Sequence, residues 1–211
     1  MGIKLAWTLV AALGIPACGG GVCTSNCSPT GGQTTIESHF DSGIEGWSIE
    51  GYVTDSPGWS LANPPTHAAE FDASGGVNGG ALYRDDELIG DTEYFIAPSS
   101  FLGVRDAFYG GVLHFAIRQD DTMNPFYGPL VMLDGPTGTL IYDDTMNPGL
   151  SFTQFEVPLT AAGWKHYPGG AVATERDLSG TLSDLRALRI RGEFSNSIDK
   201  SWVDDVVLRG P

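Results

Sequence analysis

The sequence predicts an all-β sandwich, and three observations carry that expectation. From Ile36 onward, short apolar runs alternate with clusters of Gly, Pro, Asn and Asp about every ten residues. Within several runs the apolar residues recur at every second position, the period of a half-buried strand. The composition agrees: 29 Gly, 13 Pro, 41% hydrophobic and 18% charged residues suit a turn-rich globular chain and not a disordered one.

The elements follow in order. "TIESHF", "WSIEGYV", "HAAEFDA" and "TEYFIAP" are apolar or β-branched runs bounded by turn residues, and each is predicted to be a strand. The stretch "SPGWSLANPP", with its prolines, is predicted to be a loop carrying Trp59. In "GGVLHFAIRQ", Leu113, Phe115 and Ile117 are expected in the core, with His114 and Arg118 facing away. "LVMLDG", the turn "PTG" and "GTLIYD" read as a hairpin, and "FTQFEVPL" as the strand after it. "ERDLSGTLSDL" has the character of a turn or short helix, weakened by Gly180. In "ALRIRGEF", Leu188, Ile190 and Phe194 should face one way, Arg189 and Arg191 the other. In "WVDDVVL", alternation puts Trp202, Asp204, Val206 and Leu208 on one face and Val203, Asp205 and Val207 on the other. Whichever face is buried then holds an Asp, which needs a partner: a cation, backbone amides, or an arginine such as Arg189 or Arg191. Trp47 and Trp164 are expected in the core; Trp202 fits either side.

The N-terminus reads differently. Lys4 is the only charge before an apolar run from Leu5 to Ala17, which has the length of a signal-peptide core and is short for a membrane span. The run ends in "GIPAC", which resembles the lipobox of bacterial lipoproteins and implies lipidation of Cys18; ordinary secretion near the same site is the alternative. The expected organisation is a signal peptide over residues 1–17, a Gly/Ser/Thr-rich tether over 18–35, and one sandwich domain over 36–211. Cys23 and Cys27 form an even pair able to close a small disulfide loop, with half a metal site as the rival. With 11 basic against 26 acidic residues and a net charge of −15, nucleic acid is not expected as a partner. The membrane is expected to be met only through the lipid anchor.

One hexapeptide, "DDTMNP", occurs twice, at Asp120–Pro125 and Asp143–Pro148. It is either a turn used twice or a pair of ligand loops holding Asp120, Asp121, Asp143 and Asp144. Turn chemistry is the stronger account, because Asp and Asn bond the local backbone and Pro stops a strand. Neither copy has the spacing of an EF-hand loop. Counting strand reversals puts both copies at the same end of the sandwich.

The ordered set "FDSGIEGWSI", "EYFIAPSSFLGVRDAFYGGVLHFAIRQ", "LVMLDGPTGTLIY", "FTQFEVPLTAAGW", "LSDLRALRIRGEF" and "WVDDVVL" resembles the laminin B, or laminin type IV, domain. That resemblance implies a jelly-roll sandwich similar to galactose-binding-like modules, and an interaction module instead of an enzyme. It also implies a structural Ca²⁺ held between first-strand and last-strand acids, here Asp41, less clearly Glu37, with Asp204 and Asp205. The only adhesion-like tripeptide, "RGE" at Arg191–Glu193, lies in a predicted strand and is given no role.

No nucleophile or metal-ligand motif stands out. The four histidines are scattered, and Ser197 with Lys200 forms a lone S-x-x-K without support. Trp59, Phe126 and Tyr127 are the aromatic residues expected in loops, where packing on the end of the sandwich is the stronger account and a face for a sugar the alternative. The expected function is therefore non-catalytic: a cell-surface binding or adhesion module of a secreted bacterial lipoprotein, with protein or glycan as ligand. The alternatives are a structural envelope protein and a carbohydrate-binding accessory module of a hydrolase system.

Overall fold

In chain order the strands are β1 (Thr35–Ser38), β2 (Ser48–Asp55), β3 (Gly58–Ala68), β4 (Glu70–Asp72), β5 (Ala81–Asp85), β6 (Asp91–Ile96) and β7 (Val112–Gln119). They continue with β8 (Pro129–Gly135), β9 (Gly138–Asp143), β10 (Thr153–Pro158), β11 (Trp164–Tyr167), β12 (Ala187–Arg191) and β13 (Lys200–Arg209). Among the described residues one α-helix, α1 (Glu175–Leu182), precedes β12, and two 3-10 turns, Ser99–Phe101 and Asp106–Phe108, precede β7. The structure is a computed structural model and describes residues 33–55, 58–85 and 91–211. The expected signal peptide, most of the expected tether, and Cys18, Cys23 and Cys27 lie outside the described residues.

The strands form two antiparallel sheets. One has the order β10–β7–β13–β5–β4, with β1 also on β13; the other runs β11–β9–β8–β12–β6–β2–β3. Phe115 and Ile117 of β7, Val203 and Leu208 of β13, and Leu133 and Ile190 of β8 and β12 meet in the core between them. This is the expected jelly-roll β-sandwich. In β8, Leu130 to Leu133 are all buried, because one face meets that core and the other, at Met132, packs with Tyr52, Tyr94 and Ile141. The alternation of β7 holds, with Leu113, Phe115 and Ile117 fully buried. Trp47 and Trp164 are in the core, as expected.

Three strands escaped the sequence reading: β3, β5 and β11. Trp59, expected in a loop, lies in β3, with its Cα opposite Thr54 of β2. Proline misled that reading. β3 is the outermost strand of its sheet, where Pro64 and Pro65 cost no ladder bond, and the register shifts between Glu50 and Tyr52 to absorb them.

The face assignment of β13 is also corrected. Strands β1 and β5 meet β13 end to end along one edge: β5 covers Lys200–Val203 and β1 covers Val206–Arg209. At the junction the register slips between Asp204 and Val207, and Asp205 takes a left-handed φ of 50°. The extra residue exchanges the faces. Val203 before the bulge and Val206 after it both reach the core, while Trp202 stays on the outer side.

The helix is real and well capped. Thr174 accepts from the Asp177 amide and Asp177 returns to the Thr174 amide, a complete capping box. Gly180 is there for space: a Cβ would come within 2.6 Å of Thr137 Cγ2 in the β8–β9 turn.

Candidate functional site

Three segments gather at one end of the sandwich: 120–128 after β7, 143–152 after β9, and 194–199 before β13. The two hexapeptide copies fold alike. The Met123 amide donates to Asp121 Oδ1 at 2.8 Å, and the Met146 amide donates to Asp144 Oδ1 at 2.9 Å. The second Asp of each copy thus closes the same turn, which is the turn chemistry the sequence suggested. The copies also touch, since Asn147 Nδ2 donates to the Phe126 carbonyl at 3.3 Å.

Their neighbours differ. The first copy is tied to the third segment: Ser195 Oγ donates to the Met123 carbonyl, and the Asn196 amide to the Asn124 carbonyl. The second is tied back to β7 and β12. Gln119 Nε2 donates to the Pro148 carbonyl, and Arg191 Nη2 donates to Asn147 Oδ1. Arg191 also donates to the Gly128 carbonyl and lies 4.1 Å over the Phe194 ring. It is fully buried, and that burial lowers its pKa to about 10.

Beside the second copy opens a cavity of about 410 Å³ lined by Tyr127, Gly128, Asp143, Asp144, Thr145 and Lys165. Tyr127 is 66% exposed. Phe126 is half-buried under the Arg191 guanidinium, 5.7 Å from it, and serves the packing of this end. The aspartates are turned to different partners. Asp143 is paired with Lys165 at 2.9 Å, while Asp120 accepts from the Lys200 amide at 2.7 Å.

A second cavity, of about 360 Å³, opens where β1 and β5 meet β13, and Asp41, Asp204, Asp205, His39, Asn78 and Gly79 line it. Asp204 is 2% exposed, and its oxygens accept from the Val77 and Asp205 amides, each at 2.7 Å. The partners of this buried carboxylate are therefore backbone amides. Arg189 pairs with Glu50 and Asp134, and Arg191 bonds Gly128 and Asn147. Burial raises the Asp204 pKa despite the amides, and the hydrogen bond that the His39 ring donates to Asp205 raises that of His39. Gly76 closes the loop tightly over this site, since a Cβ there would meet Asp204 Oδ2 at 2.7 Å. The donor set is rich in oxygen, which suits a hard cation. Among the described residues no three His, Cys, Asp or Glu side chains converge as a ready metal site.

A family model for laminin B (domain IV) matches residues 94–210. The chain belongs to the laminin B family. The L4b domain of human laminin alpha-2 has the same fold as this laminin B domain, with a TM-score of 0.65 at 16% identity, over 85% of this chain and 99% of that one. A family 30 carbohydrate-binding module is also similar, with a TM-score of 0.51 at 12% identity, over 84% of this chain and 89% of that one. At these identities the likeness is one of fold.

The laminin B domain holds further features that the sequence reading missed. Across the outside of the six-stranded sheet, the register aligns Arg118, Trp202, Tyr83 and Glu70 in one row, and the Arg118 guanidinium also lies 5.5 Å from the Phe152 ring. Trp202 stands opposite both Tyr83 and Arg118, and the Arg118 guanidinium lies 3.6 Å over its ring. Between the sheets, Arg84 is buried against Glu93 at 2.7 Å and Asp199 at 2.5 Å. No local signal marks either group, because their members come from distant parts of the chain. Ser197 and Lys200 do not face each other: Ser197 Oγ accepts from Asn124, and Lys200 Nζ donates to Asp85. Arg191 and Glu193 of the "RGE" tripeptide are both buried. Among the described residues no helix is long and apolar enough to cross a membrane.

Proposed function

We propose that this laminin B domain is a non-catalytic binding module of a secreted bacterial lipoprotein. It presents the end built from segments 120–128, 143–152 and 194–199 to an extracellular protein or glycan. One observation carries this reading: the hydrogen-bonded loops form an open cavity of about 410 Å³ beside the 66% exposed Tyr127. Cross-tied loops on a rigid sandwich are a suitable platform for a ligand. In this reading the lipid on Cys18 holds the module at the cell envelope, and the Gly/Ser/Thr-rich segment gives it reach. The full chain screened on a glycan array and on immobilised extracellular proteins tests it. A hit weakened by Tyr127→Ala supports the reading; no hit on either leaves the structural envelope protein in its place.

A second reading concerns the other cavity. Asp41, Asp204 and Asp205 come from opposite ends of the domain yet line one space, which favours a structural Ca²⁺ there. The ion would stiffen the junction of β1, β5 and β13 without taking part in ligand chemistry.

A further inference from the structure

Among the described residues, the large apolar side chains left exposed are unevenly placed. Five of the eight lie on the three loop segments: Met123 at 67%, Tyr127 at 66%, Met146 at 44%, Leu150 at 62% and Ile198 at 68%. The other three are valines elsewhere, Val77, Val104 and Val172. The segments are joined by hydrogen bonds from Ser195 to Met123, Asn196 to Asn124 and Asn147 to Phe126, so these side chains belong to one end of the molecule. Exposed apolar side chains concentrated in this way mark an interaction surface.

The charged side chains that these segments themselves carry have one sign. Segments 120–128, 143–152 and 194–199 contain five aspartates and no Lys, Arg or His. Asp199 is buried against Arg84. That leaves Asp120, Asp121, Asp143 and Asp144 at this end. Asp120, Asp121 and Asp144 are held by backbone amides, which fix their direction and leave their charge for a partner. Lys165, against Asp143, is the basic side chain that reaches the loop cavity.

We infer that this end docks a protein surface with an apolar centre and a basic rim; the inference rests on the binding reading above and names its partner class. Apolar anchors supply affinity, and the aspartates supply steering and register. The same chemistry disfavours the other occupants. A second copy would set acid against acid, and an anionic lipid surface would be repelled. A neutral glycan would find one exposed ring, Tyr127, beside the half-buried Phe126 and Phe152 and among Met, Leu and Ile side chains that offer no stacking face.

The test uses the full chain and three synthetic helical peptides, Leu/Lys, Ser/Lys and Leu/Glu, with the glycan array run in parallel. The Leu/Lys peptide should bind about tenfold or more tighter than the other two and weaken as salt rises. The variant Met123→Ser/Leu150→Ser/Ile198→Ser should lose about tenfold in affinity. Asp106→Asn/Glu156→Gln, which removes two exposed acids elsewhere, should stay within about twofold. An unchanged thermal midpoint checks the fold of each variant. If the Ser/Lys peptide binds as well, or the triple variant binds as before, plain charge attraction explains the signal and the inference fails. A Tyr127-dependent glycan hit without peptide discrimination overturns the inference and leaves the binding reading standing. No binding to peptides, proteins or glycans overturns both.

Discussion

Arg191 of β12 donates to Asn147 at 2.8 Å, and through that bond and one to the Gly128 carbonyl it ties both hexapeptide loops to the seven-stranded sheet. Replacing it with Met keeps the bulk and leaves two half-buried acceptors without a donor. We expect Arg191→Met to cost about 2–4 kcal/mol in urea unfolding with an unchanged m-value. Amide hydrogen exchange should quicken at 126–128 and 146–149 before it does in β7.

The capping box of α1 gives a pH prediction. Hydrogen bonds from the Thr174 side chain and backbone lower the Asp177 pKa from 3.8 to about 2. A lowered folded-state pKa means the stabilisation is present above 3.8 and is lost as pH falls towards 2. The melting midpoint should therefore drop across this window. Asp177→Asn should lower the midpoint at neutral pH and flatten the acid limb; an acid limb as steep as in the parent would refute the assignment.

Calcium is predicted to raise the melting midpoint by roughly 5–10 °C at saturation, and EDTA to reverse the rise. Asp41→Asn and Asp204→Asn should each reduce the response. A midpoint indifferent to both calcium and EDTA would count against a structural ion at the β13 junction.

The proposed lipid anchor is tested by Cys18→Ala in the full chain, with residues 1–17 retained. The parent should fractionate with membranes and the variant with the soluble phase. A variant that stays with the membranes would reject lipidation at Cys18.

The repeated hexapeptide shows how far local sequence reaches. Asp, Thr and Asn before Pro were enough to place a turn in both copies, because the bond that the Met amide donates to the second Asp lies within the motif. Counting strands also put the copies at one end, and Asn147 and Phe126 touch there. The difference between the copies was not legible. One is held by Ser195 and Asn196, the other by Gln119 and Arg191, and those partners lie outside the motif.

The sandwich class, the core positions of β7 and the buried tryptophans followed from the sequence by itself, since period-two burial and turn chemistry act over a few residues. β3 did not, because prolines that argue against a strand are harmless at a sheet edge, and only the sheet order makes β3 an edge. The two faces of β13 needed the tertiary structure for a similar reason. Two strands share one of its edges, and their junction forces the bulge that turns Asp205 into the left-handed region and buries Asp204 among amides. Alternation assumes an unbroken ladder, and only the packing of the other strands decides where a ladder breaks.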